Sequence, residues 1–477
     1  MDRLPPLTVH GAPDQLDDTQ EHHDERHHPM TWSRRGALLG LAATAGCTVV
    51  GPDYKTPESR LEGRFVTGGS ASAGDVSSDP WWKDFKDARL NGYAERGLAA
   101  NLNVKAALAR LDQAEARVRQ TGLATQASGG ASGSSIRSGG ENVPTTTTET
   151  YALSGSFVFD LFGGVQRGRE HSLAQLEAAG FSVGDARLAL LSAVVSNYIA
   201  ARFHQTAAEL TRRSVQLRQR TLSLVESQLN EGAATRLDVI RAQADLEATQ
   251  ADLPGFIAGF NASVFAIAAL LDQPNRDILG QMQRGAPQPW PRSDRANGVP
   301  ANLLRNVPAI RVQERQLAAS VAAIGVAEAQ LYPSLTLSGS IGAGTTDRWS
   351  FGPEISVPVL NQPLLRARRD EAIAVAKEAE LNWRSAVVRS VEQVEVAASN
   401  LSNNRRQVSL LRKSVASQER SLELTRGVYQ NGAVSLLDLI ETERSTLGLQ
   451  VSLAAARRDA ANAWVQLQVA TGRGWNV

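Results

Sequence analysis

Two segments in the second half of the chain place an apolar residue or glycine at every second position. Residues 335–341 alternate such positions with Thr and Ser, and residues 351–359 repeat the period. A Gly/Ser/Thr-rich segment at 125–150, leading into Tyr151–Phe162, is the counterpart in the first half. A period of two predicts β-strands, so each half is predicted to contain a β-hairpin. Strands with apolar residues on one face and small polar residues on the other suit a membrane barrel with a water-filled lumen. The alternative is a soluble two-stranded ribbon packed on helices.

The segments between the hairpins are predicted to be helical. An Ala-rich helical pattern covers about residues 87–123, no proline occurs from Val165 to Leu253, and none follows Pro363. A helix over residues 166–230 would be about 100 Å long at the usual rise per residue. No globular domain encloses such a rod, so the helices are predicted to pack side by side in an elongated body. Two apolar stripes at helical spacing support this: Leu191, Val194, Val195, Tyr198 and Ile199, and Val387, Val391, Val394, Ala398 and Leu401.

One short signature occurs twice, 200 residues apart, at residues 230–240 and 430–440. Gly, Ala, Leu, Asp and Ile coincide in the two copies, and each copy interrupts a long proline-free helix. Duplication at a fixed spacing indicates an internal two-fold repeat. Gly232 and Gly432 are predicted to adopt positive φ or to allow close approach of two helices.

The repeat and the proline positions divide the chain. A Pro-rich bridge at 286–291, followed by Pro300, joins two halves that each comprise a helix, a hairpin, a long helix, a Gly turn and a long helix. The predicted fold class is α+β, mainly long α-helices. The predicted divisions are a signal segment at 1–46, an extended tether at 47–80, a first repeat at 81–272, a linker at 273–300, a second repeat at 301–472 and a tail at 473–477.

The number of strands per chain limits how a barrel can form. A single-chain outer-membrane barrel needs about eight strands, and an open sheet edge is not tolerated in hydrocarbon. Closure of a barrel therefore requires several chains. Two chains would give a small barrel filled by its own side chains, whereas three would leave room for a channel.

The N-terminal region is typical of an export signal. Residues 30–35 form a basic segment, and an apolar run at 36–45 ends at Gly46-Cys47, which predicts a cleaved secretory signal. The run is shorter than the ~20 residues of a transmembrane helix. Residues 1–29 are polar and His-rich, and they indicate either a misassigned start codon or a disordered extension. Arg34-Arg35 fits the general or the twin-arginine export route.

Cys47 is the only cysteine of the chain, and it lies where a bacterial lipoprotein signal is cut and acylated. The alternative is an ordinary buried cysteine. Thr48 follows it. An Asp at that position would suggest retention in the inner membrane, and this chain does not have one there. Cys47 is therefore predicted to be the lipidated mature N-terminus, in contact with membrane lipid.

Composition excludes several classes of protein. The chain has 50 basic and 49 acidic residues, so no excess of positive charge suggests nucleic-acid binding. A single cysteine excludes a disulfide framework and a cysteine-built zinc site. Only His171 and His204 lie outside the first 30 residues, and no spacing of Asp, Glu, Ser or Lys suggests catalysis. A secreted hydrolase is therefore disfavoured, and neither enzymatic activity nor a cofactor is expected.

Several motifs, in order along the chain, resemble those of the TolC-like outer-membrane efflux channels, in particular the lipoprotein branch related to NodT and OprM. They are Cys47–Tyr54, Trp81-Trp82 with Phe85, Asp87 and Leu90, Phe159–Gly163, Leu331–Leu335 and the two Gly turns. Two positions depart from the family pattern. Gln126-Ala127 stands where the second half has Tyr332-Pro333, and Val307–Ala309 replaces a common Arg-Pro-Asp motif.

The resemblance implies a homotrimer whose 12-stranded β-barrel in the outer membrane continues into an α-helical barrel crossing the periplasm. It also implies a periplasmic adaptor and an inner-membrane pump as partners, with the channel as a passive conduit for drugs or other small molecules. The alternative is a lipid-anchored periplasmic adaptor or coiled-coil scaffold. Such a protein would lack two hairpins with apolar outward faces.

The resemblance also places the two Gly turns at the periplasmic tip, where Gly232, Asp238, Gly432 and Asp438 would form the adaptor-docking surface. On a helix, Asp438 and Glu441 share a face. Three copies would make a carboxylate ring that favours cations at the channel entrance. The alternative for Asp438 is a helix cap, which is the preferred role for Asp238.

Arg236 and Arg241 flank the first of these acids. They are candidates for salt bridges between neighbouring helices at a closed tip. The alternative is a pair of solvated charges, which stabilise a surface little.

Overall fold

The computed structural model describes residues 49–58, 61–68, 74–292, 298, 300–344 and 347–476. The predicted signal segment and Cys47 lie outside the described residues. A short 3₁₀ helix at Trp81–Phe85 precedes the first α-helix. The helices are α1 (Ala88–Ala100), α2 (Leu102–Arg119), α3 (Leu123–Gln126), α4 (Gly164–Asn230), α5 (Arg236–Leu270), α6 (Asn275–Met282), α7 (Pro300–Asn306), α8 (Pro308–Ala329), α9 (Gln362–Gln430) and α10 (Leu436–Ala470).

The long helices repeat in pairs. Helices α4 and α9 have 67 and 69 residues, about 100 Å each, and each is followed by a helix of 35 residues, α5 or α10. Asn101 divides the helix that was predicted over 87–123, because its side chain accepts hydrogen bonds from the backbone N–H groups of Asn103 and Val104 and so caps α2. Helix α6 lies within the segment that was predicted as a linker.

Four strands form one antiparallel sheet in the order β1 (Ala127–Gly140), β2 (Val143–Phe159), β3 (Ser334–Gly344) and β4 (Arg348–Ser356). The two predicted hairpins are present, and β2 pairs with β3 from Thr150↔Gly344 to Phe159↔Leu335, which joins the two repeats in one sheet. The edges at β1 and β4 have no partner strand within the described residues.

The strand register separates the two faces of the sheet. Ala131, Leu153, Ile341 and Trp349 lie side by side across the four strands. The other face carries small polar residues: Ser128 and Ser156 are hydrogen-bonded at 2.7 Å, and Ser340 and Ser350 at 2.8 Å. The apolar face is exposed in the single chain, with Trp349 81 % accessible. From Tyr151 to Phe159 it extends about 26 Å along β2, which matches the height of a membrane barrel's apolar band.

The main hydrophobic core lies where the 3₁₀ helix packs on the long helices. Trp81, Phe85 and Trp464 pack edge to face, with ring centroids 5.3 to 6.0 Å apart. The C-terminal residues complete this core, because the Trp81 Nε1–H donates to the Arg473 carbonyl at 3.2 Å. A smaller cluster near the Gly turns contains Val225, Ala242, Leu422, Tyr429, Leu436, Leu439 and Ile440.

Candidate functional site at the helix-turn tips

Glycines end both long helices. Gly232 has φ +76° and Gly432 has φ +72°, which confirms the prediction of positive φ at these positions. Each turn closes in the same way: the Gly232 N–H donates to the Leu229 carbonyl at 3.0 Å, and the Gly432 N–H donates to the Tyr429 carbonyl at 2.9 Å. A side chain is strained in this left-handed conformation, so glycine ends the helix at low cost.

A capping box starts each of the following helices. The Asp238 carboxylate accepts from the Thr235 backbone N–H at 3.0 Å and from the Thr235 hydroxyl at 2.6 Å. In the second repeat the Asp438 carboxylate accepts from the same groups of Ser435 at 3.0 and 2.6 Å. The capping role is therefore confirmed for both acids. The side-chain hydrogen bond, then the backbone one, lowers the pKa of Asp238 and of Asp438, which keeps both charged at neutral pH.

The predicted entrance acids lie on the exposed side of α10. Asp438 and Glu441 are exposed, whereas Leu439, Ile440 and Glu443 on the same helix are buried. Capping uses one Asp438 carboxylate oxygen, Oδ2, so capping and a role in a pore are compatible. The pore role itself stays a prediction.

The two arginines near the first turn differ in their contacts. The Arg241 guanidinium lies 3.9 Å from the Asp238 carboxylate, one turn away on the same helix, and its side chain is 49 % exposed. Arg236 forms no ion pair among the residues the structure covers. Among the described residues neither side chain forms an ion pair with another helix, so salt bridges between neighbouring helices at a closed tip stay a prediction.

A buried charge cluster joins the four long helices above the turns. Asp245 on α5 lies 3.2 Å from Arg218 on α4 and 2.5 Å from Arg444 on α10. Glu443 on α10 pairs with Arg426 on α9 at 2.9 Å. Arg218 also contacts Thr249. Asp245 and Glu443 are 1 % and 3 % exposed. Burial raises the pKa of Glu443, although the guanidinium groups of Arg426 and Arg218 oppose this shift.

Sequence analysis missed this cluster because its members lie on four helices. One signal was available: Glu443 continues the buried stripe of Leu436, Leu439 and Ile440 at helical spacing. An acid in such a stripe requires partners. Their identity could not be read from the sequence, since Arg218 and Arg426 are more than 200 residues apart.

No group of three or more His, Cys, Asp and Glu side chains in the described ranges is placed to hold a metal ion. The arrangement at the tips therefore consists of helix caps, an exposed acidic face and buried interhelical ion pairs.

Both repeats match a known protein family. The family model for outer membrane efflux proteins covers residues 94–271 and 299–473. Nodulation protein T of Rhizobium leguminosarum bv. trifolii is 39 % identical over 447 residues, which covers 91 % of this chain and 95 % of that protein. The pyoverdine export outer membrane protein OpmQ of Pseudomonas aeruginosa is 27 % identical over 466 residues, covering 92 % and 98 %.

A solved structure shows the same architecture. The outer-membrane channel OprN superimposes with a TM-score of 0.81 at 28 % identity, covering 90 % of this chain and all of that one.

Proposed function

Because the chain belongs to the outer membrane efflux protein family, we propose that it is the conduit through which particular small molecules leave the cell. The protein is an outer-membrane channel subunit that extends into the periplasm. It acts as a homotrimer together with a periplasmic adaptor and an inner-membrane pump. The channel itself performs no catalytic step, and energy for export comes from the pump.

The observation that carries this function is the four-stranded sheet, which has one apolar and one serine-rich face and whose outer strands, β1 and β4, have no partner strand in the part of the chain that the structure describes. The apolar face suits lipid, and the serine-rich face suits a water-filled lumen. An open edge in the membrane leaves backbone groups unpaired, so β1 of one chain must pair with β4 of the next. Three chains supply twelve strands. A periplasmic adaptor or scaffold does not need a sheet with one lipid-facing and one water-facing side.

Exposed apolar surface on the helices supports the same assembly. An 18-residue stretch of α5 is apolar enough to cross a membrane, yet only 22 % of it is buried in the single chain. Ile257 and Phe265 are both 39 % exposed there. A helix that is exposed and apolar needs a partner, and the neighbouring chains of the trimer supply it.

The substrates we propose are drugs or other small molecules. The relatives include a pyoverdine exporter, a toluene efflux protein and a cation efflux protein, so the family's fold accommodates cargo of different chemistry. For this chain we further propose acylation of Cys47, an acidic entrance at Asp438 and Glu441, and adaptor docking at the two Gly-turn tips.

Export is tested in a strain that lacks the gene. Cells are loaded with a panel of organic compounds and metal cations, and intracellular accumulation is followed over time. Accumulation of at least one compound should rise several-fold and return to the original level when the gene is restored. Unchanged accumulation across a broad panel, with the adaptor and pump expressed, would contradict the proposed cargo class.

A further inference from the structure

Residues 49–54, called the N-terminal strap below, lie in a narrow slot where the sheet meets the long helices. The Val50 backbone N–H donates to the Phe162 carbonyl at 3.1 Å. Phe162 is three residues beyond the end of β2 and stacks on Tyr332, with ring centroids 4.6 Å apart. Tyr332 in turn lies two residues before β3. The strap is thus fixed beside the ends of β2 and β3 that lie next to the helices.

The Arg167 side chain on α4 binds the strap through hydrogen bonds. Its Nε–H donates to the Val50 carbonyl at 3.1 Å, and its Nη2 donates to the Gly51 carbonyl at 3.1 Å and to the Asp53 carboxylate at 2.8 Å. The residue is 5 % exposed. Its remaining nitrogen, Nη1, donates to Glu170 at 2.8 Å. A planar guanidinium directs several donors at once, which the ammonium of a lysine cannot do.

Three glycines make the slot narrow enough for backbone contact. A Cβ on Gly163, which precedes α4 with φ +76°, would lie 2.7 Å from the Val49 side chain. A Cβ on Gly51 would lie 2.5 Å from the Cα of Gly325 on α8, and a Cβ on Gly325 would lie 2.6 Å from Arg167. The strap therefore passes between a helix of the first repeat and a helix of the second.

We propose that this slot is a docking site built for the chain's own N-terminus, with Arg167 as its positioning residue. The docked strap ties the two repeats together at the sheet–helix junction. It also fixes where an acyl chain on Cys47 enters the membrane. Three residues span at most about 11 Å, so an acyl chain on Cys47 would start no farther than that from Val50, which is itself hydrogen-bonded to Phe162.

Withdrawal of the strap would remove three of the four hydrogen-bond partners of Arg167: the Val50 and Gly51 carbonyls and the Asp53 carboxylate. These bonds therefore oppose detachment of the strap. The membrane part of this inference rests on the proposed acylation of Cys47. The slot itself does not depend on that acylation, because all of its contacts are made by Val49 and the residues that follow it.

Trypsin cleavage after Lys55 in the detergent-solubilised full-length protein tests the slot. Arg167→Ala should speed cleavage at least tenfold, and Arg167→Lys should also speed it, because a strap must detach before a protease can bind it. Arg169→Ala is the matched control: it removes an exposed arginine two residues away on the same helix and should leave the rate unchanged. Cys47→Ala should also leave it unchanged. Equal protection of wild type and Arg167→Ala would overturn the proposal.

A pair of glycine variants tests the walls of the slot. Gly325→Ala should free the strap, whereas Gly168→Ala should not, because a Cβ on Gly168 meets nothing within 4 Å. If Arg167→Ala does not fold, Val50→Pro serves instead, since it removes the N–H that binds Phe162 and leaves Arg167 in place. Equal cleavage rates in the two glycine variants would show that the slot does not hold the strap.

Spin-label accessibility tests the placement in the membrane. A label at Thr48→Cys in a Cys47→Ala background should be relaxed mainly by lipid-soluble oxygen in reconstituted vesicles. With Arg167→Ala added, it should be relaxed mainly by a water-soluble nickel chelate. A label that reports bulk water in both proteins would contradict the placement, and it would leave the export test of the proposed function unaffected.

Discussion

Asp245 and Arg444 are 199 residues apart in the chain, and their side chains form an ion pair at 2.5 Å that joins α5 of the first repeat to α10 of the second. Asp245 is buried and also faces Arg218. Asp245 and Arg444 therefore link the two repeats near the Gly turns, beside a hydrophobic cluster that also contains residues of both repeats.

Removal of the carboxylate that Arg218 and Arg444 share should destabilise the helices around it strongly. Asp245→Ala leaves the Arg218 charge buried without its partner, which costs about 3–5 kcal/mol for a buried pair. Arg444→Ala should cost only about 1 kcal/mol or less, because the Arg444 side chain is 56 % exposed. Hydrogen exchange of the α5 and α10 amides around these residues measures the difference. Similar exchange in the two variants would contradict the assignment of Asp245 as the central acid.

The stability of the tip region should depend on Glu443. Burial raises the pKa of this carboxyl above its unfolded value, so the folded state binds the proton more tightly than the unfolded state. This contribution is complete below the unfolded pKa and is lost as pH rises through the folded pKa. Glu443→Gln should therefore flatten the decline of the thermal midpoint above about pH 4.5. An unchanged pH profile would show that Glu443 does not carry this dependence.

The acidic face of α10 should set ion selectivity. Asp438→Asn combined with Glu441→Gln should lower cation preference in single-channel recordings and weaken block by divalent or trivalent cations. The fold should persist, since both side chains are exposed. Asp238→Asn is the matched control, because Asp238 has the same capping geometry in the first repeat. If the double variant keeps its selectivity and its block, Asp438 only caps the helix and neither acid sets selectivity.

The mature protein should begin at Cys47. Its position after a basic segment and a short apolar run predicts cleavage and acylation. Mass spectrometry of the purified protein should show an acylated N-terminal cysteine and no residue before it. A mature chain that retains residues 30–46 would contradict this prediction. Cys47→Ala should reduce membrane retention without abolishing the fold, because the sheet is itself a membrane anchor.

Local patterns predicted the repeat, the turns and the hairpins, because each depends on residues close in sequence. The Gly232 and Gly432 conformations and the capping acids follow from one short signature. Contacts between distant segments could not be predicted in this way. The Asp245–Arg444 pair is one example, and Arg167 against the strap is another.

Some element boundaries also differ from the sequence pattern. The alternation that continues to Val359 predicts a longer strand, but β4 ends at Ser356, two residues before Pro358. Residues 357–361 form the connection from β4 to α9. In the first half, the turn at residues 141–142 lies inside the segment whose Gly/Ser/Thr composition gave no clear strand period.

The central claim is that three four-stranded sheets close into one conducting barrel. Native mass spectrometry of the detergent-purified protein, followed by bilayer recordings of the same fraction, tests it most directly. The account predicts that the conducting species has the mass of three mature chains and that dissociated chains conduct nothing. A stable monomer with full channel conductance would contradict it.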